Sequence, residues 1–475
     1  MIEATTVSGG KAALENKVVT DLAADLQGQL IRPDDSAYDE ARRVYNGMFD
    51  RRPALIARPG DVSGAARTVK FARQHDLLTA VRGGGHSPAG HSTCDGCLVL
   101  DLSPMNQVRV DPESGIVKAG GGATLGHVDA VTHQHGLAVP LGIVSLTGIG
   151  GLTLGGGIGW LMSKHGLTVD NLIAAEVVTV DGEVVTASEH ENSDLFWGLR
   201  GGGGNFGIVT EFTYQAHAVG PPVFFTAVLY HADRAREALQ LYREFSKTAP
   251  DEATVAAALG MIPKGAEEFP EEVRGLHFVG FRGMYAGPVD EGARVMEPLR
   301  RLSEPLVEVS QVMPFVQVQQ IGDAAERPGE LRHYWKSVNL MELSDGAIDR
   351  IVDYHRRQPA EDSAILLVPL RGAVARVRDE ETAFYGRKAH SLVQIAADWK
   401  ARAHDEVNIE WARDVAADLE AFSDGSHYLN VSSDESEAAL QAAFGPGYRR
   451  LAQLKRKYDP TNFLRLNQNI KPASS

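Results

Sequence analysis

Cysteine is nearly absent from this 475-residue chain. Only Cys94 and Cys97 are present, which excludes a disulfide framework as the basis of the fold. Their CxxC spacing is compatible with redox chemistry or half of a zinc site. No second Cys or Cys/His pair stands at ligand spacing, so no metal is expected, and the pair reads as two small residues on a loop leading into "LVLDLS". Long apolar runs are lacking too: no window is able to span a bilayer, and "MIEATTVSGGKAALENK" contains no apolar h-region, from which a cytoplasmic location is expected. Blocks of Lys and Arg are missing from a chain with a formal net charge of -15. That balance argues against nucleic acid and anionic membrane surfaces as partners. The remaining composition, 43% hydrophobic and 23% charged, is that of a globular protein long enough for two or three domains.

Glycine, by contrast, is plentiful and clustered. "VRGGGHSPAGHSTC" places three consecutive glycines against His86, and such runs mark backbone that passes close to something or adopts positive φ. "LTGIGGLTLGGGIG" and "GGGGNFG" follow within about a hundred residues. A Rossmann dinucleotide site requires GxGxxG after a strand and opening a helix. Gly202 to Gly207 satisfies the pattern with its flanks reversed, since "SDLFWGLRG" reads as helix and "IVTEFTYQ" as strand; after Gly148 and Gly150, Thr153 stands where the third glycine belongs. Several glycine loops interleaved with short strands suit backbone N–H nests for phosphate oxygens, and each loop alone also reads as a tight turn.

Along the chain, "AALENKVVTDLAADLQ" and "DVSGAARTVKFARQHD" have helical spacing, "ALIARP" and "LLTAVRGGG" read as strands, and "LVLDLS", "QVRVD" and "GIVKAGGG" suggest hairpins. After about Pro221 strands ("VFFTAVLYH", "VRGLHFVGFRGMYAG", "EVSQVMPFVQVQQI", "AILLVPLRGAVARV") alternate with amphipathic helices ("DRAREALQLYREFSKTAP", "DEGARVMEPLRRLSEP", "GAIDRIVDYHRRQ", "EVNIEWARDVAADLEAF"). That pattern predicts an antiparallel sheet flanked by helices. The terminal "YDPTNFLRLNQNIKP" reads as loop and not as core.

Together, "PALIARPGDVSGAARTVKFARQHDLLTAVRGGGHSPAGHST", "LVLDLSPMNQVRVD", "GGLTLGGGIGWLMSKHGLTVDNLIAAEVVTVDGEVVTAS", "DLFWGLRGGGGNFGIVTEF" and "YDPTNFLRLNQNI" resemble the berberine bridge enzyme-like branch of the vanillyl-alcohol oxidase superfamily over nearly the whole chain. The resemblance implies an α+β fold: a two-part PCMH-type FAD-binding domain (1–220, completed by 426–475) and an inserted substrate domain (221–425) with an antiparallel sheet flanked by helices. It implies covalent FAD on His86, whose neutral imidazole nitrogen is a competent nucleophile towards the flavin 8α-methyl. Expected cofactor contacts are Arg82, Gly83, Gly84, Gly85, His86, Ser87, Gly90, His91, Gly148, Gly151, Gly155, Gly156, Gly159, Asn205, Gly207, Ile208, Val209, Asn467 and Asn469, with His91 more structural than chemical. The chain departs from the family where a cysteine would form a second flavin bond: alignment on the glycines puts Val144 there, so one link is expected. Leu152 and Thr147 replace a histidine and a branched apolar residue, and both changes weaken the transfer of oxygen reactivity.

On the substrate side, oxidation of an alcohol carbon needs a base within reach of the hydroxyl. The family's tyrosine base in YxNY matches Tyr428 in "HYLNVSSD", with Asn430 retained and Val431 replacing the second aromatic; period two would put Tyr428 and Asn430 on one strand face. Tyrosine's pKa near 10 calls for a nearby cation, for which Lys336 in "HYWKS" is the candidate. Glu381 in "ETAFYGR" is the rival base, and Tyr334, Tyr385 and Arg387 are pocket candidates. The expected function is an FAD-linked oxidase moving hydride from a hydroxyl-bearing carbon of a small-molecule or natural-product substrate to FAD and then to O2, giving H2O2. The alternatives are a flavin dehydrogenase with another acceptor and a flavin-binding protein without turnover.

Overall fold

The computed structural model describes residues 1–220, 222–433 and 436–474. "ALIARP" forms strand Leu55–Arg58, and the Asp61 carboxylate caps helix Val62–Gln74 by accepting from the Gly64 N–H at 2.7 Å. The helix buries Ala65, Val69 and Ala72 against Leu55, Leu98 and Leu100. The sheet beneath it runs Gln29–Ile31, Leu55–Arg58, Leu98–Asp101, Thr79–Arg82, the last three strands parallel. A second, antiparallel sheet runs Val184–Ser188, Leu172–Val178, Ile208–Gln215, Ile116–Gly120, Val108–Asp111. At the N-terminus the helix expected from "AALENKVVTDLAADLQ" starts later, at Asn16; Lys11–Leu14 instead pairs with Ile2–Thr5 as a hairpin, because pairing satisfies backbone groups that a frayed first turn would leave open.

The third sheet has seven antiparallel strands in the order Val307–Pro314, Pro222–His231, His277–Tyr285, Ala253–Met261, Ala364–Pro369, Ser391–Trp399, Arg332–Leu340. Strand alternation sorts its residues. Val228, Tyr230, Phe281, Ile365, Ile395 and Val338 share an outer core with helices Ala235–Thr248, Asp345–Arg356 and Asp405–Leu419. On the inner face Phe225 and Met284 pack on Trp160 and Leu161 of the glycine-rich half. One expected strand is cut short: "EVSQVMPFVQVQQI" is a strand only to Pro314, whose extended backbone caps helix Phe315–Gln320.

The C-terminal segment returns to the first half. Helix Tyr448–Tyr458 packs Leu451 and Leu454 among Phe206, Phe212 and Val117. The stretch beyond it, expected as loop and not core, has irregular backbone but buries Phe463, Leu464 and Ile470. A buried ion pair explains this: Lys455 Nζ sits 2.7 Å from Asp459 Oδ2 and also donates to the Asn205 and Leu464 carbonyls, while Asp459 accepts from the Phe463 and Leu464 N–H groups. Every charge in that knot is compensated. Among the described residues no helix is long and apolar enough to cross a membrane.

Candidate functional site

The loop after strand Thr79–Arg82 carries "GGGHSPAG". Gly85 at φ +70° and Gly90 at φ +67° occupy the left-handed region, which favours glycine. Gly84 is glycine because an added Cβ would lie 2.5 Å from the Gly148 backbone, so two glycine loops distant in sequence touch main chain to main chain. Among the described residues the N–H groups of Gly84, Gly85, His86 and Ser87 donate to no protein acceptor. The nearby Ser92 and Thr93 hydroxyls are buried without a partner. Open N–H groups beside unpaired buried hydroxyls are the donor set of an anion cradle.

His86 leaves this loop into a stack of three rings. Its centroid lies 3.8 Å from Tyr45, and the other stacked neighbour of Tyr45 is His333 at 4.2 Å. Burial, and secondarily the nearby His333, pulls the His86 pKa down to about 3, so the imidazole is neutral. The Tyr45 hydroxyl hydrogen-bonds Glu326, and burial pushes the pKa of both groups up. His333 belongs to strand Arg332–Leu340; its Nδ1 lies 2.7 Å from Oδ1 of its cross-strand partner Asp398, which also accepts from Trp335 Nε1 at 2.7 Å. Asn46 fixes the loop to this strand: its Nδ2 donates to the Pro88 and His333 carbonyls at 2.7 Å each, and its Oδ1 accepts from the His333 N–H at 3.0 Å.

Farther along the same strand face, Ser337 holds the segment that carries Tyr428. The Tyr428 N–H donates to Ser337 Oγ at 2.9 Å, and Trp335 and Ser433 exchange two further bonds. The segment lies along an edge strand and covers it. Tyr428 and Asn430 are brought together by a 3-10 turn, Leu429–Val431, and not by the expected strand. Tyr428 Oη accepts from Asn430 Nδ2 at 2.9 Å and from the Gly157 N–H at 3.2 Å. Burial raises the phenol's pKa, and these two donors oppose that rise. Asn430 Nδ2 also donates to the Leu152 carbonyl, so the turn bridges to the glycine segment.

Two expected catalytic residues fall elsewhere. Lys336 alternates with Trp335 and Ser337 and therefore takes the outer face of the sheet with Tyr334 and Val338, away from the Tyr428 turn. Glu381 is exposed and ion-paired to Arg378 at 2.8 Å, which lowers its pKa, the opposite of what a buried base needs. Tyr334 accepts from Arg413 on the outer side, and Arg387 is held by Asp170 and Thr382. Tyr385 packs beside Gly445.

The expected cofactor contacts divide in the same way. The Arg82 guanidinium hydrogen-bonds the Ala41 carbonyl, and Asn205 ties Gly202 to the C-terminal tail through Gln468 and Ile470; both are structural in what they touch. A Cβ on Gly155, Gly156, Gly159 or Gly207 would strike Asn430, Phe384, Leu141 or Val177, so those positions are glycine for packing. Gly151 faces open space, as an approach to a ligand requires, while the backbone of Gly121 lies close to Gly83. Ile208 and Val209 are core residues of strand Ile208–Gln215, and His91 is half-buried, its pKa pulled down to about 4 by desolvation. Asn467 Nδ2 donates to the Gly204 carbonyl, and the Oδ1 atoms of Asn467 and Asn469 are buried and unpaired. The disulfide between Cys94 and Cys97, with Cα atoms 5.6 Å apart, corrects the reading of two unbonded small residues. No motif prompted Tyr45, Glu326, Arg282 or Asp398, whereas His333 and Trp335 stood in "HYWKS" on the alternate register to Lys336.

An anion cradle and a neutral histidine in one loop suit a phosphate-bearing cofactor, and comparison with known proteins identifies the class as FAD-linked oxidoreductase. The family model for an FAD binding domain matches residues 53–188, and that for berberine and berberine-like proteins matches residues 427–471. An FAD-linked oxidoreductase of Dictyostelium discoideum is 33% identical, with 97% of this chain and 98% of the relative covered. (R)-6-Hydroxynicotine oxidase of Paenarthrobacter nicotinovorans is 30% identical over 97% of this chain and all of its own. Among solved structures, 6-hydroxy-D-nicotine oxidase from Arthrobacter nicotinovorans superposes with a TM-score of 0.85 at 27% identity, covering 97% of this chain and 100% of that one. Glucooligosaccharide oxidase from Acremonium strictum, described with a 6-S-cysteinyl, 8α-N1-histidyl FAD, gives 0.84 at 25% identity, with the same coverage. This chain belongs to the berberine bridge enzyme-like family of FAD-linked oxidoreductases.

FAD fits the residues present. The open N–H groups of Gly84 to Ser87 and the unpaired Ser92 and Thr93 hydroxyls are donors of the kind its diphosphate accepts, and the neutral His86 imidazole belongs to the same loop.

Proposed function

We propose that this protein is an FAD-linked oxidase of a hydroxyl-bearing carbon, with the flavin bonded through its 8α-methyl to His86 alone and O2 as the acceptor. The observation that carries the reading is the half-buried, neutral His86 in a loop where, among the described residues, the N–H groups of Gly84 to Ser87 lack protein acceptors. The bound FAD supplies uptake of hydride and two electrons and their passage to the acceptor. Residues 1–220 with 426–475 form the FAD-binding part and residues 221–425 the substrate part. His333 and Ser337, four residues apart on one strand face, are separated by about 13 Å. That strand thus links the His86 end of the site to the Tyr428 end, with Trp335 between His333 and Ser337 on the same face. Tyr428 Oη is the group placed to take the substrate hydroxyl proton; Asn430 Nδ2 and the Gly157 N–H favour its phenolate form against burial, which favours the phenol. Val144 at the position of the family's cysteine offers no nucleophile for a second bond. The names of the nicotine and oligosaccharide oxidase relatives support an oxidase over a dehydrogenase.

Acid precipitation tests the attachment. The wild-type pellet is expected to stay yellow and the His86→Ala pellet to be colourless, with its flavin in the supernatant. A yellow wild-type supernatant would show that FAD is held without a bond. Stopped-flow reoxidation of the reduced flavin then separates an oxidase, fast with O2, from a dehydrogenase.

A further inference from the structure

Arg282 lies on the inner face of the seven-stranded sheet. It alternates with Phe281, which belongs to the outer core, and its register partners are Ala227 and Ala256 on the adjoining strands. Farther along that face come Gly280 and Ala258. These side chains are too small to fill the layer above the sheet, and Trp160 of the glycine-rich half lies 4.9 Å from the guanidinium.

The guanidinium is poorly compensated. Among the described residues Arg282 forms no ion pair, and its Nε and Nη2 are buried with no acceptor. Burial pulls its pKa down to about 10, so it remains a cation at neutral pH. Glu326 is close enough to act on it electrostatically but is bound to Tyr45 and pushed toward its neutral form, while Asp398 already holds His333 and Trp335. A buried cation without a counterion is unfavourable in the free protein. An Nε and Nη2 edge with both donors open is the fork that a carboxylate accepts in bidentate fashion.

We propose that Arg282 recognises a carboxylate on the substrate, so that the compound oxidised is an acid bearing a hydroxyl on a nearby carbon. The hydroxyl rests on the oxidase reading above; the carboxylate does not. In this assignment the Glu326–Tyr45–His86 chain of contacts joins the anion subsite to the flavin attachment point.

The test is anaerobic titration calorimetry of the purified holoprotein with two matched pairs, mandelate against mandelamide and glucuronate against glucose. At least one acid is expected to bind about tenfold or more tightly than its neutral partner. Arg282→Gln should abolish that preference and Arg282→Lys keep part of it. The same acid should raise the melting temperature of the wild type and not that of Arg282→Gln, a readout independent of turnover. Equal or tighter binding of both neutral partners, no binding of either acid, or a preference that survives in Arg282→Gln overturns the proposal. Flavin bleaching in the same samples separates the two readings. Bleaching by hydroxyl compounds without any acid preference removes the carboxylate site and leaves the oxidase. Arg282-dependent acid binding with no bleaching by any hydroxyl compound does the reverse.

Discussion

Tyr428 receives two hydrogen bonds at one oxygen and is buried beside Phe384, which separates its role from that of an ordinary half-buried tyrosine. Tyr428→Phe keeps the ring and removes the oxygen, so the melting temperature should change little while kcat/KM falls by about 10² to 10⁴. Glu381→Gln should leave kcat/KM within about twofold, because an exposed ion pair contributes little. Loss of activity in the Glu381 variant with retention in the Tyr428 variant would reverse the assignment. The cysteines offer another test at this scale. Alkylation under denaturing conditions should find no free thiol until a reductant is added, and two afterwards. The sequence supplied the CxxC spacing but not the bond, because pairing depends on the loop bringing the two Cα atoms within disulfide range.

At the scale of elements, strand Arg332–Leu340 organises the site. One face places His333 against the Tyr45 and His86 stack and Ser337 against Tyr428; the other carries Tyr334 and Val338 into the outer core, with Lys336 between them. The alternation was legible in "HYWKS", but not which alternate set faces inward, because that depends on which side the helices cover. The glycine loops are the second element. At Gly84 a Cβ would meet the Gly148 backbone, which has no flexible side chain to yield, so Gly84→Ala is expected to destabilise by about 1–3 kcal/mol and to reduce FAD retention. Thermal melting with flavin absorbance on the same sample checks both. A variant that melts as the wild type does would show that the two loops separate at little cost. The sequence marked these loops as sites of close approach; it left open whether the partner was ligand or protein, and for Gly155, Gly156, Gly159 and Gly207 it is protein.

For the whole molecule, the C-terminal segment is tied to the first half by Lys455 and Asp459. Both are fully buried, so Asp459→Asn leaves a cation without its counterion and should cost about 3–5 kcal/mol, read from chemical denaturation. Acid sensitivity follows from the desolvated histidines. Burial lowers the folded-state pKa of His86 to about 3 and of His91, His165 and His355 to about 4, below the unfolded value of 6.5. Below pH 6.5 the unfolded chain therefore binds more protons than the folded one. The stabilisation is complete above that pH and is lost as pH falls toward 4 and then 3. Melting temperature of the flavin-free protein should drop through this window, and a flat profile would mean that these rings are hydrated in solution.

The sequence by itself determined the helix-flanked antiparallel sheet and, through motifs that resemble a known family, FAD as the ligand; it also singled out two clusters, His86 in its glycine loop and Tyr428 with Asn430, because glycine runs, period-two alternation and short motifs are local signals. It could not place the inner-face partners. Tyr45, Glu326, Arg282 and Asp398 come from four segments spread over more than 350 residues, and each acquires its chemistry from burial and from a neighbour remote in the chain. Only the tertiary structure, by stacking the seven-stranded sheet on the glycine loops, decided which charges would be left dry, which would be paired, and which face of each strand the substrate would meet.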